Sequence, residues 1–226
     1  MTGADLDTAD TDTADAVAGT QRAYARIAGR YAERWDRAEN TWIAAPAARF
    51  AAALPAGALV ADVGCGPGND TVRLRGLGLR AHGFDLSHAM LTARAVPGQV
   101  RADLRVLPLR DGALDGLWCI AVLLHLPRET VPAALAEFHR VLKPGGHAVI
   151  SIAEGDGEGW ERYPHQDFEG AEDVEGGAVE RYFVYHSRQA FTELLEAAGF
   201  EILWTFCAST HRNWMSLHLR RYSGVH

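Results

Sequence analysis

A 226-residue chain with 48% hydrophobic and 23% charged residues has the composition of an ordinary globular protein and suits one large domain. It has no apolar run of the roughly 18 residues that span a bilayer, and its first residues lack the basic-then-apolar order of a signal peptide, so a cytoplasmic location is expected. The formal charge of −7 argues against a general nucleic-acid surface, which needs clustered Lys and Arg; Cys65, Cys119 and Cys207 are scattered and without metal-ligand spacing, as expected of reduced core thiols and no metal site.

Residues 1–19 hold five aspartates and no basic residue. Such a stretch cannot bury enough apolar surface to order itself, so a disordered acidic tail is expected. Residues 20–53 read as N-terminal helices, with Tyr24, Ile27, Tyr31 and Trp35 at spacings of three and four. The segment ALVADVG (58–64) reads as a buried strand, followed by a helix from about residue 69. A second strand covers AHGFDLS (81–87), where Ser87 caps the helix HAMLTARA. VRADL (100–104) and LDGLWCIAV (114–122) are the third and fourth strands.

A helix over 129–142 is expected to stop at LKPGG, where Pro144 and two glycines end it, and HAVISIA (147–153) is the fifth strand. Residues 154–177 then bring nine carboxylates, one arginine and six glycines, the composition of an insert or lid, placed at 154–180. The region 181–222 closes with extended RYFVYH, a helix RQAFTELLEAAGF capped by Ser187, and two strands, EILWTFCAS and NWMSLHLRR. Alternation of strand and helix over 58–153 implies a parallel sheet with helices on both faces. Ligands of such sheets sit outside the carboxyl ends of the strands, where strand order reverses.

The turn after the first strand, VADVGCGPGNDT, places glycines at 64, 66 and 68. Small residues there let the backbone approach a ligand, and the following helix offers free N–H groups and the positive end of its dipole to an anionic group. The dinucleotide fingerprint G-x-G-x-x-G would need glycine where Asn69 stands, which disfavours a nicotinamide-dependent dehydrogenase. The spacing Asp62-x-Gly64-x-Gly66-x-Gly68 instead resembles the first motif of the class I S-adenosylmethionine-dependent methyltransferases. GFDLSHAMLTARA, ADLRVLPLRDGALDGLWCIAVLLHL, HRVLKPGGHAVIS and AFTELLEAAGF follow in the family's order, so the resemblance covers about 20–222.

That resemblance implies a Rossmann-like, doubly wound α/β fold with a mostly parallel seven-stranded sheet, and S-adenosylmethionine as cofactor. It implies that Gly64, Gly66 and Gly68 frame the methionine end and that Asp62 helps hold its ammonium through water. Asp85, with Leu86 beside it, would accept the ribose hydroxyls, since one carboxylate offers two acceptor oxygens. Asp103 would accept from the adenine amino group, the Leu104 N–H would reach a ring nitrogen, and Ile120 would lie alongside. Tyr24 and Tyr31 fit the family's N-terminal cover helix, as cofactor contacts or as packing.

A methyl on sulfonium is already activated, so the protein has to align a nucleophile and exclude water, with a base needed only if the nucleophile carries a proton. His125, in LLHL, is the candidate base, against a role in capping the next turn. Trp160, His165 and Phe168 in the acidic segment are candidate substrate residues, against solvated or loop-anchoring roles. The carboxylates of that segment repel anions, which points to a neutral or cationic small-molecule acceptor with an O or N nucleophile. Two other readings stay open: a protein of this fold that binds without methylating, and a tRNA or other macromolecule methyltransferase, because the closing segment resembles the tRNA wobble-uridine enzymes.

Overall fold

The computed structural model describes residues 4–37, 41–162, 179–210 and 212–223. Helices α1 (Ala4–Arg37) and α2 (Thr41–Ala52) lead into β1 (Leu59–Val63), α3 (Asn69–Gly76), β2 (Arg80–Asp85), α4 (His88–Arg94) and β3 (Gln99–Arg101). Then come β4 (Leu114–Ile120), α5 (Val131–Val141), β5 (Leu142–Ala153), β6 (Glu158–Arg162), β7 (Glu180–Val184), α6 (Arg188–Ala197), β8 (Phe200–Ser209) and β9 (Asn213–Arg221).

Seven strands form one sheet in the order β3-β2-β1-β4-β5-β9-β8, and β6 and β7 form a separate antiparallel pair. The first five strands run parallel, while β9 is antiparallel to both β5 and β8. The chain steps outward from β1 to β3, then returns to place β4 on the other side of β1. Strand order therefore reverses between β1 and β4, and the crevice outside their carboxyl ends is where this architecture holds a ligand.

Apolar runs make the central strands because both of their faces are buried. Phe138 and Leu135 of α5 and Phe191 and Leu195 of α6 pack one face; Phe50 and Ala47 of α2 and Leu74 of α3 pack the other against Trp118. The Trp118 indole, buried in β4, satisfies its one polar atom by donating to Asp70 Oδ2 at 2.9 Å. Truncating a ring such as Phe138 to alanine would cost roughly 3–5 kcal/mol by loss of burial and creation of a cavity.

From Ala4 on, the stretch before residue 20 departs from expectation: it is the start of α1 rather than a disordered tail. Alanine has the highest helix propensity, and aspartates are favoured in a helix's first turns. Tertiary packing then anchors the segment, because Ala16 is 2% exposed and Val17 and Thr20 reach a central cavity. Near the other end, the opening of the acidic segment is not a free loop: Glu158–Arg162 pairs as β6 with β7. Its remainder, with His165 and Phe168, lies outside the described residues. Strand β3 is shorter than expected and ends at Arg101, so Asp103 and Leu104 stand in the turn after it.

Candidate active site

A cavity of about 400 Å³ opens at the carboxyl ends of β1, β2 and β4, under α1. Gly64 and Gly66 line it, and each has a positive φ, 71° and 53°. The two are required for different reasons. A Cβ on Gly64 would lie 2.3 Å from Val122 Cγ2, inside the packed turn after β4; a Cβ on Gly66 would meet nothing within 4 Å and would project into open space. Gly68, at φ 92°, is the left-handed residue that starts α3, and it does not line the cavity.

Asp85, at the end of β2, holds this turn in place. Its Oδ2 accepts from the Gly66 N–H at 2.9 Å and its Oδ1 from the Ser87 N–H at 2.7 Å. Burial raises its carboxyl above the ordinary range, against the pull of those two donors. Each oxygen keeps capacity for a further donor, and Asp85 lines the cavity. Asp103 also lines the cavity but is engaged differently: both its oxygens accept from the Arg105 guanidinium, the shortest contact being 2.7 Å. Burial raises its carboxyl, but the Arg105 hydrogen bonds and charge outweigh that and leave it below the usual range. Leu86, Leu104 and Ile120 complete this end, and Gln21 of α1 closes over it by donating to the Leu86 carbonyl at 3.1 Å.

The opposite end is aromatic. Trp42 and Trp214 stack with centroids 5.6 Å apart, and Phe183 meets the edge of His125 at 5.2 Å. Arg181 and Arg212 line the same end, with guanidinium carbons 5.4 and 4.0 Å from the Phe183 ring centroid. His125, in the short turn after β4, contacts Tyr24 Oη through Nε2 and the Tyr182 carbonyl through Nδ1, both at 2.8 Å. A carbonyl can only accept, so in the neutral ring Nδ1 carries the proton, Nε2 accepts the Tyr24 hydroxyl, and the Tyr24 oxygen accepts from Arg181 Nη1 at 2.9 Å. Burial, then the charges of Arg181 and Arg212, push the imidazole down to about 3 against the opposing Tyr182 bond.

Residues 61–150, from β1 to β5, match the methyltransferase domain family. They are a class I, S-adenosylmethionine-dependent methyltransferase domain. The chain is 37% identical over 112 residues to a tRNA (carboxymethyluridine(34)-5-O)-methyltransferase of Arabidopsis thaliana, covering 46% of this chain and 26% of that protein. It is 31% identical over 152 residues to a malonyl-[acyl-carrier protein] O-methyltransferase of Pectobacterium atrosepticum, covering 62% and 57%. It thus spans less than two thirds of either relative. In fold it is similar to the Burkholderia thailandensis 1,6-didemethyltoxoflavin-N1-methyltransferase, solved with bound S-adenosylhomocysteine, at a TM-score of 0.70 and 20% identity over 93% of this chain and 90% of that one.

The methyltransferase domain brings together Gly64, Gly66, Asp85, Leu86, Asp103, Leu104, Ile120 and His125 around one cavity, and α1, outside the matched residues, adds Tyr24 and Tyr31. It leaves Asp62 out: that buried carboxylate turns beneath the glycine turn, accepts from Thr71 Oγ1 at 2.6 Å, and is raised well above its ordinary range, first by burial and then by Asp70. Trp160 is also outside, which corrects its assignment to the substrate. Side chains alternate across a strand. Trp160 and its cross-strand partner Tyr182 share one face, where Trp160 is 48% exposed, packs 5.7 Å from Tyr182 and lies over Gly19 of α1. Arg181 and Phe183 take the other face and reach the cavity.

Arg181, Phe183, Arg212, Trp42 and Trp214 were not expected from the sequence. For the first pair the alternation of RYFVY carried the signal; the others converge only through tertiary packing. Ala121, just after β4, is a further lining residue without a sequence signal, and it holds a left-handed φ of 57°. Such strain in a non-glycine residue costs on the order of 1–3 kcal/mol and collects at functional sites. Among the described residues no helix is long and apolar enough to cross a membrane.

Proposed function

We propose that this protein transfers a methyl group from S-adenosylmethionine to a small-molecule acceptor, with the cofactor toward the glycine turn and the acceptor among the aromatic residues. The carrying observation is the single cavity that joins these two unlike ends. The open space at Gly66, where a Cβ would intrude, fits a cofactor that passes close to the backbone. When bound, S-adenosylmethionine supplies a methyl already activated by the sulfonium.

In this reading the turn at Gly64 and Gly66 and the start of α3 take the methionine carboxylate, and Asp85 takes the ribose hydroxyls. Asp103 and Leu104 border the adenine, Ile120 lies alongside, and Tyr31 closes the cover. Asp62 and Gly68 act indirectly, by holding the turn. His125 positions Tyr24 rather than serving as a base, since an imidazole with both nitrogens engaged and a pKa of about 3 is a poor proton acceptor near neutrality. The chain aligns the acceptor and keeps water out under α1. We place the reaction in the cytoplasm, in keeping with three free cysteines.

The neutral or cationic acceptor expected from the carboxylates of 154–177 rests on a segment that lies mostly outside the described residues; among the described residues at the aromatic end of the cavity stand the guanidinium groups of Arg181 and Arg212. Calorimetry with S-adenosylhomocysteine and NAD, followed by transfer of labelled methyl into small molecules and into tRNA, tests the proposal. Binding of S-adenosylhomocysteine but not NAD, with label entering small molecules, is the expected result. Binding of NAD alone removes the cofactor assignment, label in tRNA moves the acceptor to the macromolecular class, and cofactor binding with no transfer to anything leaves a binding protein.

A further inference from the structure

Gly66 sets a physical problem for its own turn. A Cβ there would meet nothing within 4 Å, so no side-chain packing holds the residue at φ 53°. Glycine also loses more conformational freedom than any other residue when it is fixed. Only its backbone groups offer a handle. Asp85 Oδ2 takes the N–H at 2.9 Å. The carbonyl belongs to the peptide bond with Pro67, which brings no N–H of its own.

That carbonyl is reached from the edge of the sheet. Gln99, the first residue of β3, donates from Nε2 to the Gly66 oxygen at 3.2 Å and to Cys65 Sγ at 3.4 Å, and the Cys65 thiol donates to the same oxygen at 3.6 Å. A carbonyl can only accept, so the amide nitrogen of Gln99 and not its Oε1 faces the turn. Oε1 is left buried, with no partner among the described residues. An unpaired buried acceptor is costly, and what the amide gains in return is the contact of its nitrogen with the turn.

Two other glycines make room for this contact. A Cβ on Gly83, the register partner of Gln99 on β2, would lie 2.7 Å from Cys65 Sγ, and a Cβ on Gly68 would lie 2.8 Å from Gln99 Nε2. Gly68 thus clears the path of the amide although it does not line the cavity.

We infer that Gln99 is a positioning residue for the cofactor: Asp85 on the N–H and Gln99 on the carbonyl hold Gly66 from both sides, in the conformation that keeps the space beside it open. The inference rests on the methyl-transfer reading above. Gln99 does not line the cavity, so it acts through Gly66. A turn fixed before binding spares the ligand the cost of ordering it.

The test uses the full chain with Gln99→Met, which keeps the length and removes the donor, and Gln99→Glu, which sets an acceptor-only carboxylate against the carbonyl. Calorimetry reads the affinity for S-adenosylhomocysteine, and amide hydrogen exchange is followed residue by residue in the unliganded protein. Gln99→Met is expected to weaken binding roughly fivefold, the loss of one ordinary hydrogen bond, and Gln99→Glu at least about tenfold. Exchange at the Gly66 N–H should quicken in both, while the amides of β1 and β4 keep parental protection. A merely structural Gln99 would quicken all of these together or none. Parental affinity, parental exchange at Gly66, or a uniform loss of protection or of folding in Gln99→Met overturns the inference; this milder variant decides alone should Gln99→Glu not fold. Failure of the parent to bind S-adenosylhomocysteine is a different result and falls on the methyl-transfer reading, and exchange at Gly66 then still decides whether Gln99 holds the turn.

Discussion

The glycine end of the cavity is made of backbone and strand ends, and the aromatic end is made of side chains. At the first, Gly64, Gly66, Asp85 and Ile120 stand at or just past the carboxyl ends of neighbouring parallel strands, so any chain that builds this sheet delivers them there. At the second, Tyr24 meets a histidine 101 residues away and an arginine 157 residues away, and Arg212 arrives from the turn between β8 and β9. The first arrangement follows from topology and serves a ligand shared across a fold. The second depends on particular side chains, and that is where one member of a fold acquires its own acceptor.

The largest effects are expected at the glycine end, and the two lining glycines separate fold from binding. Gly66→Val sends a side chain into open space, so the protein should remain folded, with backbone strain of about 1–3 kcal/mol at φ 53°. Its affinity for S-adenosylhomocysteine should fall on the order of 100-fold or more, a loss near 3 kcal/mol. Gly64→Val instead collides with Val122 and should lower the melting temperature before any question of affinity arises. Parental affinity in Gly66→Val would show that the cofactor lies elsewhere.

The two carboxylates of that end should differ in the same assay. Asp85→Asn removes a charged acceptor that also fixes the Gly66 and Ser87 N–H groups, and a loss of roughly 1.5–3 kcal/mol in cofactor affinity is expected. Asp103→Asn should cost less, below about 1 kcal/mol, because its oxygens are already taken by Arg105 in a half-exposed pair. Equal losses at the two positions would mean that Arg105 gives way and that Asp103 binds the adenine directly.

What could be read in advance follows the same division. The sheet, its seven strands and the residues at strand ends were legible because each rests on local chemistry: an apolar run, then glycine, then a cap such as Ser87, whose side chain accepts from the Met90 N–H. The start of α1 was misread because composition argued for disorder while packing of Ala16 and Val17 decided otherwise. Trp160 was misassigned because a one-residue step along a strand changes its face, and the β6–β7 register that sets the face is a tertiary fact. Arg181 could have been read from the same alternation, had the hairpin been foreseen. Arg212 could not, since nothing local ties that turn to Phe183.

A last expected effect sharpens the aromatic end. The fold holds His125 neutral, with its pKa pushed from the ordinary 6.5 down to about 3, so the unfolded chain takes up a proton below pH 6.5 that the folded chain refuses. The stability this residue contributes is complete above pH 6.5 and falls as the pH drops toward 3, by up to about 1.4 kcal/mol per unit. His186 and His218, pushed down to about 4, act in the same direction, while the raised carboxyls of Asp62 and Asp70 act in the opposite one, so the isolating measurement is a difference. His125→Gln can still accept from Tyr24 and donate to the Tyr182 carbonyl, yet it does not titrate. Between pH 7.5 and 5 the parent should therefore lose more stability to urea than the variant does. In the same range a base at His125 would give methyl transfer a rise with pH that disappears in His125→Gln, whereas a positioning role gives two parallel profiles, lower in the variant. A rise near pH 6.5 confined to the parent would return the imidazole to the chemistry, and with it an acceptor that has a proton to lose.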